Sequence, residues 1–304
     1  MILHSSGRSG AVIRESYGDR LFLGAIYVFL ATVLLIILVP RCCILSASFS
    51  SPLDVTSGKV GIWPVHPTLM GYKAVFNNNQ IWLGYWNSIV YTVLGTVISV
   101  VLTVMIAYPL SRKSFYGRHV LMLLIAFTML FSGGLIPLYL VVKQLHMIDT
   151  RWALLLPQAL AVWQIIIART FFQTTIPDEL AEAAELDGCS DMNFLIRIVL
   201  PLSKPIMAVM VLMYAVGQWN AYFDALIYLK SQALFPLQLV LRNILILNTE
   251  AGNNSNLQEM LARQGMKDLM KYSLIVVASL PVLIIYPFVQ KHFVQGMMIG
   301  SIKG

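Results

Sequence analysis

Long apolar segments constrain the fold of this chain more than any other feature. The first runs from about Leu21 to Val39 and the second from about Ser88 to Leu110, and neither contains a charged residue. A helix of about 20 such residues crosses a hydrocarbon core of about 30 Å. Of the 304 residues only 12% are charged, whereas soluble domains carry about 25%. The sequence therefore predicts an all-α polytopic membrane protein without a large soluble domain.

Four further spans are predicted by the same criterion. They lie at about 120–142, 152–172, 206–229 and 272–289. The third span is interrupted by Gly133, Gly134 and Pro137. Membrane helices tolerate glycine and proline where the backbone lines a cavity or packs against a neighbour, and both roles remain open here. Six spans place the two termini on one side of the membrane.

A polar segment at residues 175–205, between the fourth and fifth spans, is nevertheless patterned as helix. Pro177 suits the first turn of a helix, and Gly188 ends that helix because glycine adopts the left-handed conformation at little cost. Ser190 can cap a second helix, which Pro201 and Pro205 then end. The segment predicts a compact helix–turn–helix that a second protein could grip.

The same segment carries a longer pattern, EAA-x3-G-x9-I-x-LP, beginning at Glu182 and ending at Pro201. It resembles the EAA loop of bacterial ABC-importer permeases. The resemblance implies a type I importer permease fold: six transmembrane helices and a cytoplasmic EAA coupling hairpin that docks in a cleft of the ATPase subunit. The residues that it assigns to ATPase coupling are Glu182, Ala183, Ala184, Asp187, Gly188, Ile198, Leu200 and Pro201.

The resemblance extends over nearly the whole chain. Gly296, Gly300, Lys303 and Gly304 resemble the tail of the second permease of maltose-type importers. The segments YFDALIYL and LFPLQLVLRNILI resemble the branch that takes up polysaccharide fragments, including uronate-containing oligosaccharides. The implied partners are a homologous second permease, two ABC ATPase subunits, an extracytoplasmic binding protein and membrane lipid. ATP and Mg would bind the ATPases, and this chain would bind no cofactor.

The resemblance also implies a topology. It divides the chain into a cytoplasmic arm at 1–20, a permease domain at 21–293 with the coupling loop at 175–205, and a cytoplasmic tail at 294–304. The expected location is the bacterial inner membrane, with both termini in the cytoplasm.

Other function classes find little support. The net charge of +7 comes from scattered lysines and arginines, which fits anchoring at a membrane surface better than nucleic-acid binding. The sequence has no GxxxxGK[ST], GxSxG or HExxH motif, so a non-catalytic subunit is expected. The predicted second, third and sixth spans contain no ionisable residue, which argues against an ion-coupled secondary carrier. Arg41, beside Pro40, departs from the family pattern, either as a local variation or as a functional group.

Substrate contacts are predicted in the fifth span. Sugars bind through aromatic faces and through amides and hydroxyls that reach their OH groups. The candidates there are Gln218, Trp219, Asn220, Tyr222 and Asp224, with Gly133 and Gly134 in the third span. The alternative role of this segment is an aromatic anchor at the membrane interface. The predicted solute is an oligosaccharide, and the alternatives are a non-sugar solute of an ABC importer or an ion-coupled carrier.

Overall fold

The computed structural model describes residues 16–246 and 264–284 of the chain, and these two ranges contain helices and no β-strand. The first helices are α1 (Tyr17–Phe49), α2 (Pro52–Thr56), α3 (Met70–Phe76), α4 (Asn79–Ser111), α5 (Arg118–Leu130), α6 (Leu135–Gln144) and α7 (Trp152–Leu155). They are followed by α8 (Val162–Thr175), α9 (Asp178–Leu186), α10 (Asp191–Phe194), a π-helical segment (Leu195–Val199), α11 (Leu200–Leu202), α12 (Lys204–Asn220), α13 (Phe223–Tyr228), a 3-10 turn (Gln232–Leu234) and α14 (Leu237–Ile246). Residues 264–284 form α15. The predicted all-α membrane fold is confirmed.

The helices are more broken than the predicted spans. In the described ranges, α1 and α4 are each long and apolar enough to cross a membrane alone. Two pairs meet the criterion only together: α5 with α6, bent by 113°, and 191–202 with α12, bent by 84°. The number of six spans therefore stays a prediction. The tail predicted at 294–304 and most of the N-terminal arm lie outside the described residues.

The first helix is longer than the predicted span. The first span was predicted to end at about Val39, but α1 continues through Pro40 to Phe49. Proline removes one helical hydrogen bond without always ending a helix. At the next residue, the guanidinium of Arg41 donates to the carbonyl of Ile37, one turn earlier in the helix, at 3.0 Å. This bond gives the charge a partner within its own helix.

Helix α4 is the centre of the packed core. Its neighbours are α8, α12 and α14, and buried clusters surround its C-terminal part near Val104 and its N-terminal part near Tyr91 and Ile81. At Gly95, an added Cβ would lie 2.8 Å from the amide carbon of Gln218. Glycine at this position therefore allows α12 to approach α4 closely.

Several predicted spans are split at identifiable breaks. The third divides at residues 131–134, where Gly134 has φ +82°. The fourth divides into α7 and α8 at 156–161, and the fifth ends its long helix at Asn220 and resumes at Phe223. The sixth predicted span, at about 272–289, begins inside α15, which already starts before residue 272. No glycine or proline occurs at 264–280 other than Gly265 to interrupt that helix.

The turn before α7 is tied to the turn after α13. Asp149 accepts hydrogen bonds from the backbone N–H of Lys230 at 2.9 Å and from the N–H and hydroxyl of Ser231 at 2.8 and 2.5 Å. These bonds, that of the Ser231 hydroxyl first, lower the pKa of the Asp149 carboxyl. These hydrogen bonds hold the turn before α7 against the turn after α13.

Candidate functional site

The predicted helix–turn–helix is present as an ordered hairpin. Helix α9 begins after Pro177, which is the N-cap residue rather than a residue of the first turn as predicted. Asp178 lies in the first turn, where the helix dipole favours a negative charge. The hydroxyl of Ser190 caps the second helix, as predicted, by accepting from the N–H of Asn193.

The turn of the hairpin requires glycine. Gly188 has φ +73°, and a Cβ added there would meet no atom within 4 Å. The requirement is therefore conformational and not steric. The N–H of Gly188 donates to the carbonyl of Glu185 at 3.0 Å, and the N–H of Cys189 to the carbonyl of Ala184 at 2.9 Å.

The second helix of the hairpin ends between the two prolines that were expected to stop it, Pro201 and Pro205. Helix extends through the π-helical segment to Leu202 and then turns by 84° into α12. Proline is accommodated here in the first turn of α11. Phe194 and Val199 are buried against the C-terminal parts of α4 and α8. The base of the hairpin is thus packed into the core.

The eight residues of the EAA pattern fall into two groups. Ala184 is buried, and Ile198 and Leu200 are partly buried against the same core cluster. The exposed members are Glu182, Ala183, Asp187, Gly188 and Pro201. One part of the pattern holds the hairpin against the protein and the other part faces outward.

Two apolar residues at the tip were not predicted as surface residues. Leu186 is 90% exposed, and Met192 is 60% exposed. Both flank the turn at Gly188. Exposed apolar side chains on an otherwise polar element are typical anchors of a protein interface.

The short basic loop after α4 holds the start of α9. Lys113 Nζ lies 2.9 Å from Asp178 Oδ2, and Arg112 Nη2 lies 3.6 Å from Asp178 Oδ1. The guanidinium of Arg112 also stacks 5.8 Å above the ring of Phe194. The hydrogen bond from Lys113 is the main cause that lowers the pKa of the Asp178 carboxyl. The hairpin is therefore connected to α4 as well as to α8 and α12.

An open groove of about 770 Å³ separates this loop from the hairpin. Tyr108, Phe115 and Met192 contribute apolar lining, and Glu182 and Glu185 contribute carboxylates. Within the described ranges, no group of His, Cys, Asp and Glu side chains is arranged to hold a metal ion.

A smaller cavity of about 300 Å³ lies between α4, α8 and α12. Two of the predicted substrate residues, Gln218 and Asp224, line it. Gln158 and Gln164 line it as well and were missed, although an isolated glutamine in an apolar span is a signal visible in the sequence. The structure therefore assembles this cavity from four separate stretches of the chain and brings four polar side chains into a largely apolar lining.

The other predicted substrate residues lie elsewhere. Trp219 is buried, and its Nε1–H donates to the carbonyl of Ala278 at 3.3 Å. Asn220 donates its side-chain amide to the carbonyl of Val216 at 2.8 Å. The remaining three, which do not line the cavity, are the exposed residues Tyr222, Gly133 and Gly134.

Comparisons with known proteins agree with this architecture. The family described as binding-protein-dependent transport system inner membrane component is matched over residues 81–299. The polygalacturonan/rhamnogalacturonan transport system permease protein YtcP of Bacillus subtilis strain 168 is 42% identical over 94% of this chain and 99% of its own length. Protein LplC of the same organism is 44% identical over 91% of this chain and 92% of its own length.

A solved structure is similar as well. The crystal structure of a bacterial ABC transporter involved in the import of the acidic polysaccharide alginate includes a chain that is 35% identical to this one, with a TM-score of 0.84. The alignment covers 92% of this chain and 99% of that chain. This chain therefore belongs to the family of binding-protein-dependent transport system inner membrane components.

Proposed function

We propose that this chain is one of the two permease subunits of an ABC importer that takes up an oligosaccharide. Its partners would be a homologous permease, two ATPase subunits that bind ATP and Mg and hydrolyse the nucleotide, and an extracytoplasmic binding protein that delivers the solute. The chain itself would form half of the pathway and catalyse no reaction. It would lie in the bacterial inner membrane with both termini in the cytoplasm.

The hairpin at the end of α8 is the observation that carries this proposal. Its base is packed into the core through Phe194 and Val199, whereas Leu186 and Met192 at its tip have most of their surface exposed. An element that is rigid at its base and apolar at its tip suits a docking role. We assign that docking to the ATPase subunit, with Glu182 and Gly188 among the contacts.

The connections of the hairpin suggest how docking would drive transport. Helix α8 ends at Thr175, directly before α9, and α12 begins two residues after Leu202. Lys113, which follows α4, forms an ion pair with Asp178 of α9 and so connects α4 to the hairpin as well. Closure of the ATPases would therefore move the hairpin as a rigid body and tilt these three helices together, which switches access to the pathway between the two sides.

The names of the relatives support a saccharide as the transported solute. They refer to polygalacturonan and rhamnogalacturonan in one case and to alginate in the other. The cavity between α8 and α12 offers glutamine amides, a carboxyl group and tyrosine rings, and these groups suit the hydroxyls and the flat faces of a sugar.

Assembly with the ATPase tests the proposal. Leu186→Glu should strongly reduce co-purification of the ATPase subunits with the permease pair, because it places a charge in an apolar contact. Leu53→Glu is the matched control, since Leu53 is also exposed and lies in α2, away from the hairpin. Co-purification of Leu186→Glu with the ATPase at the level of Leu53→Glu would contradict the proposed docking surface. Uptake driven by an ion gradient without any ATPase would favour the secondary carrier instead.

A further inference from the structure

Helix α15 contains a proline that leaves one backbone carbonyl without its helical hydrogen bond. Pro281 has no N–H, so it cannot donate to the carbonyl of Val277, four residues earlier in the helix. In a membrane protein such a carbonyl is tolerated where a neighbouring helix or a side chain supplies a donor. The hydroxyl of Tyr85 in α4 supplies it, because it donates to the carbonyl of Val277. The hydrogen bond that Pro281 removes from α15 is thus replaced from another helix.

The two neighbouring carbonyls of this turn also accept hydrogen bonds from side chains. The indole Nε1–H of Trp219, near the end of α12, donates to the carbonyl of Ala278 at 3.3 Å. The hydroxyl of Ser279 donates to the carbonyl of Val276 at 2.8 Å. Bonds of this kind from serine compete with the hydrogen-bond ladder of a helix. Three consecutive carbonyls, at 276–278, therefore bind side chains, and two of these side chains belong to other helices.

The two donors from α4 and α12 act as one unit. The rings of Tyr85 and Trp219 lie 5.8 Å apart between centroids at an interplanar angle of 64°, which is an edge-to-face contact. Trp219 is 6% exposed and shares a buried cluster with Val277 and Ala278. Loss of a donor at such a buried site leaves a carbonyl unsatisfied, which is costly in a low dielectric. Tyr85 and Trp219 are therefore termed the latch of α15.

The two ends of α15 are held differently. Near its start, a Cβ added to Gly265 would lie 2.9 Å from the carbonyl oxygen of Pro52 in α2. The hydroxyl of Ser273 donates to the carbonyl of Ser48 in α1 at 3.3 Å. Beyond the latch, by contrast, Ile284 is 62% exposed. The helix is therefore fixed to α1 and α2 before its proline and open after it, and a proline is the usual place for a helix to bend.

We propose that the turn at 276–281 is a hinge through which α4 and α12 bend α15 during transport, with Tyr85 and Trp219 as its positioning residues. This inference rests on the proposed function, in which α4 and α12 tilt together with the coupling hairpin. The latch would then pull the carbonyls at 277–278 along, while the start of α15 stays with α1 and α2. Because Pro281 has removed one hydrogen bond of the helix, bending at this turn costs less than elsewhere. Motion of the hairpin thereby reaches a fourth helix.

Amide hydrogen exchange at residues 278–284 of the complete permease–ATPase complex in nanodiscs tests the latch. Without nucleotide, Tyr85→Phe and Trp219→Phe should each raise the exchange rate there about threefold or more, because each removes a donor and keeps a ring. Trp82→Phe is the matched control, since the indole N–H of Trp82 also donates to a carbonyl, that of Phe76 at 2.9 Å, outside α15. The control should leave exchange at 278–284 unchanged.

Two further comparisons distinguish a hinge from a contact that only stabilises the fold. Pro281→Ala returns an N–H to the carbonyl of Val277, so the double variant with Tyr85→Phe should exchange like Pro281→Ala alone. In the wild type, a non-hydrolysable ATP analogue with Mg should raise exchange at 278–284 about threefold or more, because closed ATPases bend the hinge. Trp219→Phe and Pro281→Ala should both reduce this response to nucleotide, and Trp82→Phe should not.

Equal exchange in Trp219→Phe and Trp82→Phe, additive effects of Tyr85→Phe and Pro281→Ala, or exchange at 278–284 that does not respond to nucleotide would each overturn the hinge. The same preparations report separately on the proposed function. If the complex assembles and its ATPase responds to a loaded binding protein, the importer function stands even when the hinge fails. If no ATPase assembles with the chain, the proposed function fails and the hinge fails with it.

Discussion

Replacing Gly188 with alanine should weaken ATPase binding through backbone strain alone. At φ +73° a residue with a Cβ is disfavoured, although nothing lies within 4 Å of the position that the Cβ would take. The strain of a left-handed non-glycine residue is about 1–2 kcal/mol. If the hairpin relieves this strain by leaving its docking geometry, the apparent affinity of the permease pair for the ATPase subunit should fall about five- to thirty-fold.

Gly58→Ala is a matched control for this variant. Gly58 has φ +68°, also has nothing within 4 Å, and its N–H donates to the residue three positions earlier, as that of Gly188 does. It follows α2 and is not part of the hairpin. Both variants should therefore carry a similar backbone strain, and only Gly188→Ala should weaken binding of the ATPase subunit.

The assay is a titration of purified ATPase subunit onto nanodiscs that contain the permease pair. Gly188→Asn should recover most of the affinity, because asparagine tolerates the left-handed conformation better than alanine does. Equal affinities for Gly188→Ala and Gly58→Ala would refute the argument that the geometry of this turn sets the docking surface.

Three further predictions concern the contacts that hold the hairpin and the helices. The ion pair of Asp178 with Lys113 lowers the pKa of the carboxyl in the folded protein, so its stabilising effect is present above the usual carboxyl range and is lost as the pH falls below about 4. Asp178→Asn should remove this part of the pH dependence of thermal unfolding at low salt, and an unchanged pH profile would argue against the pair. Gly71→Ala should destabilise the fold by about 1–3 kcal/mol, because the added Cβ would overlap the hydroxyl of Ser273; an unaltered melting temperature would contradict this packing. Asp149→Ala removes the acceptor of three hydrogen bonds and should increase amide hydrogen exchange at residues 230–231. An exchange rate there equal to that of the wild type would contradict this role of Asp149.

The helical nature of the chain could be predicted because apolar composition over about 20 residues leaves few alternatives in lipid. The breaks within the helices could be predicted only in part. Gly134 marks one break through its positive φ. At Ala221 and Tyr222, however, neither glycine nor proline is present, so the local sequence gives no sign of the break.

The turn of the hairpin was predictable, whereas its exposed tip was not. Gly188 is identified by the conformation that the turn demands. Leu186 continues the helical spacing of apolar residues, and that spacing usually indicates a buried face. Its surface is open in the single chain, and periodicity cannot distinguish a residue that packs inside its own chain from one that packs against a partner.

The cavity shows why residue type alone is an incomplete guide to a site. Gln218 and Trp219 are neighbours, but consecutive helical residues point about 100° apart. Gln218 therefore faces the cavity while Trp219 packs towards Ala278. Gln164 reaches the same cavity from α8 and Gln158 from the break that precedes it, and a single sequence carries no signal for that proximity.

The most direct test of the account is the ATP hydrolysis rate of the complete complex in nanodiscs, measured with and without binding protein that carries an oligosaccharide. The account predicts that loaded binding protein stimulates hydrolysis in the wild-type complex and that Leu186→Glu abolishes the stimulation together with ATPase assembly. A chain that forms no complex with any ATPase would contradict the central claim that the hairpin of residues 175–205 couples this permease to ATP hydrolysis.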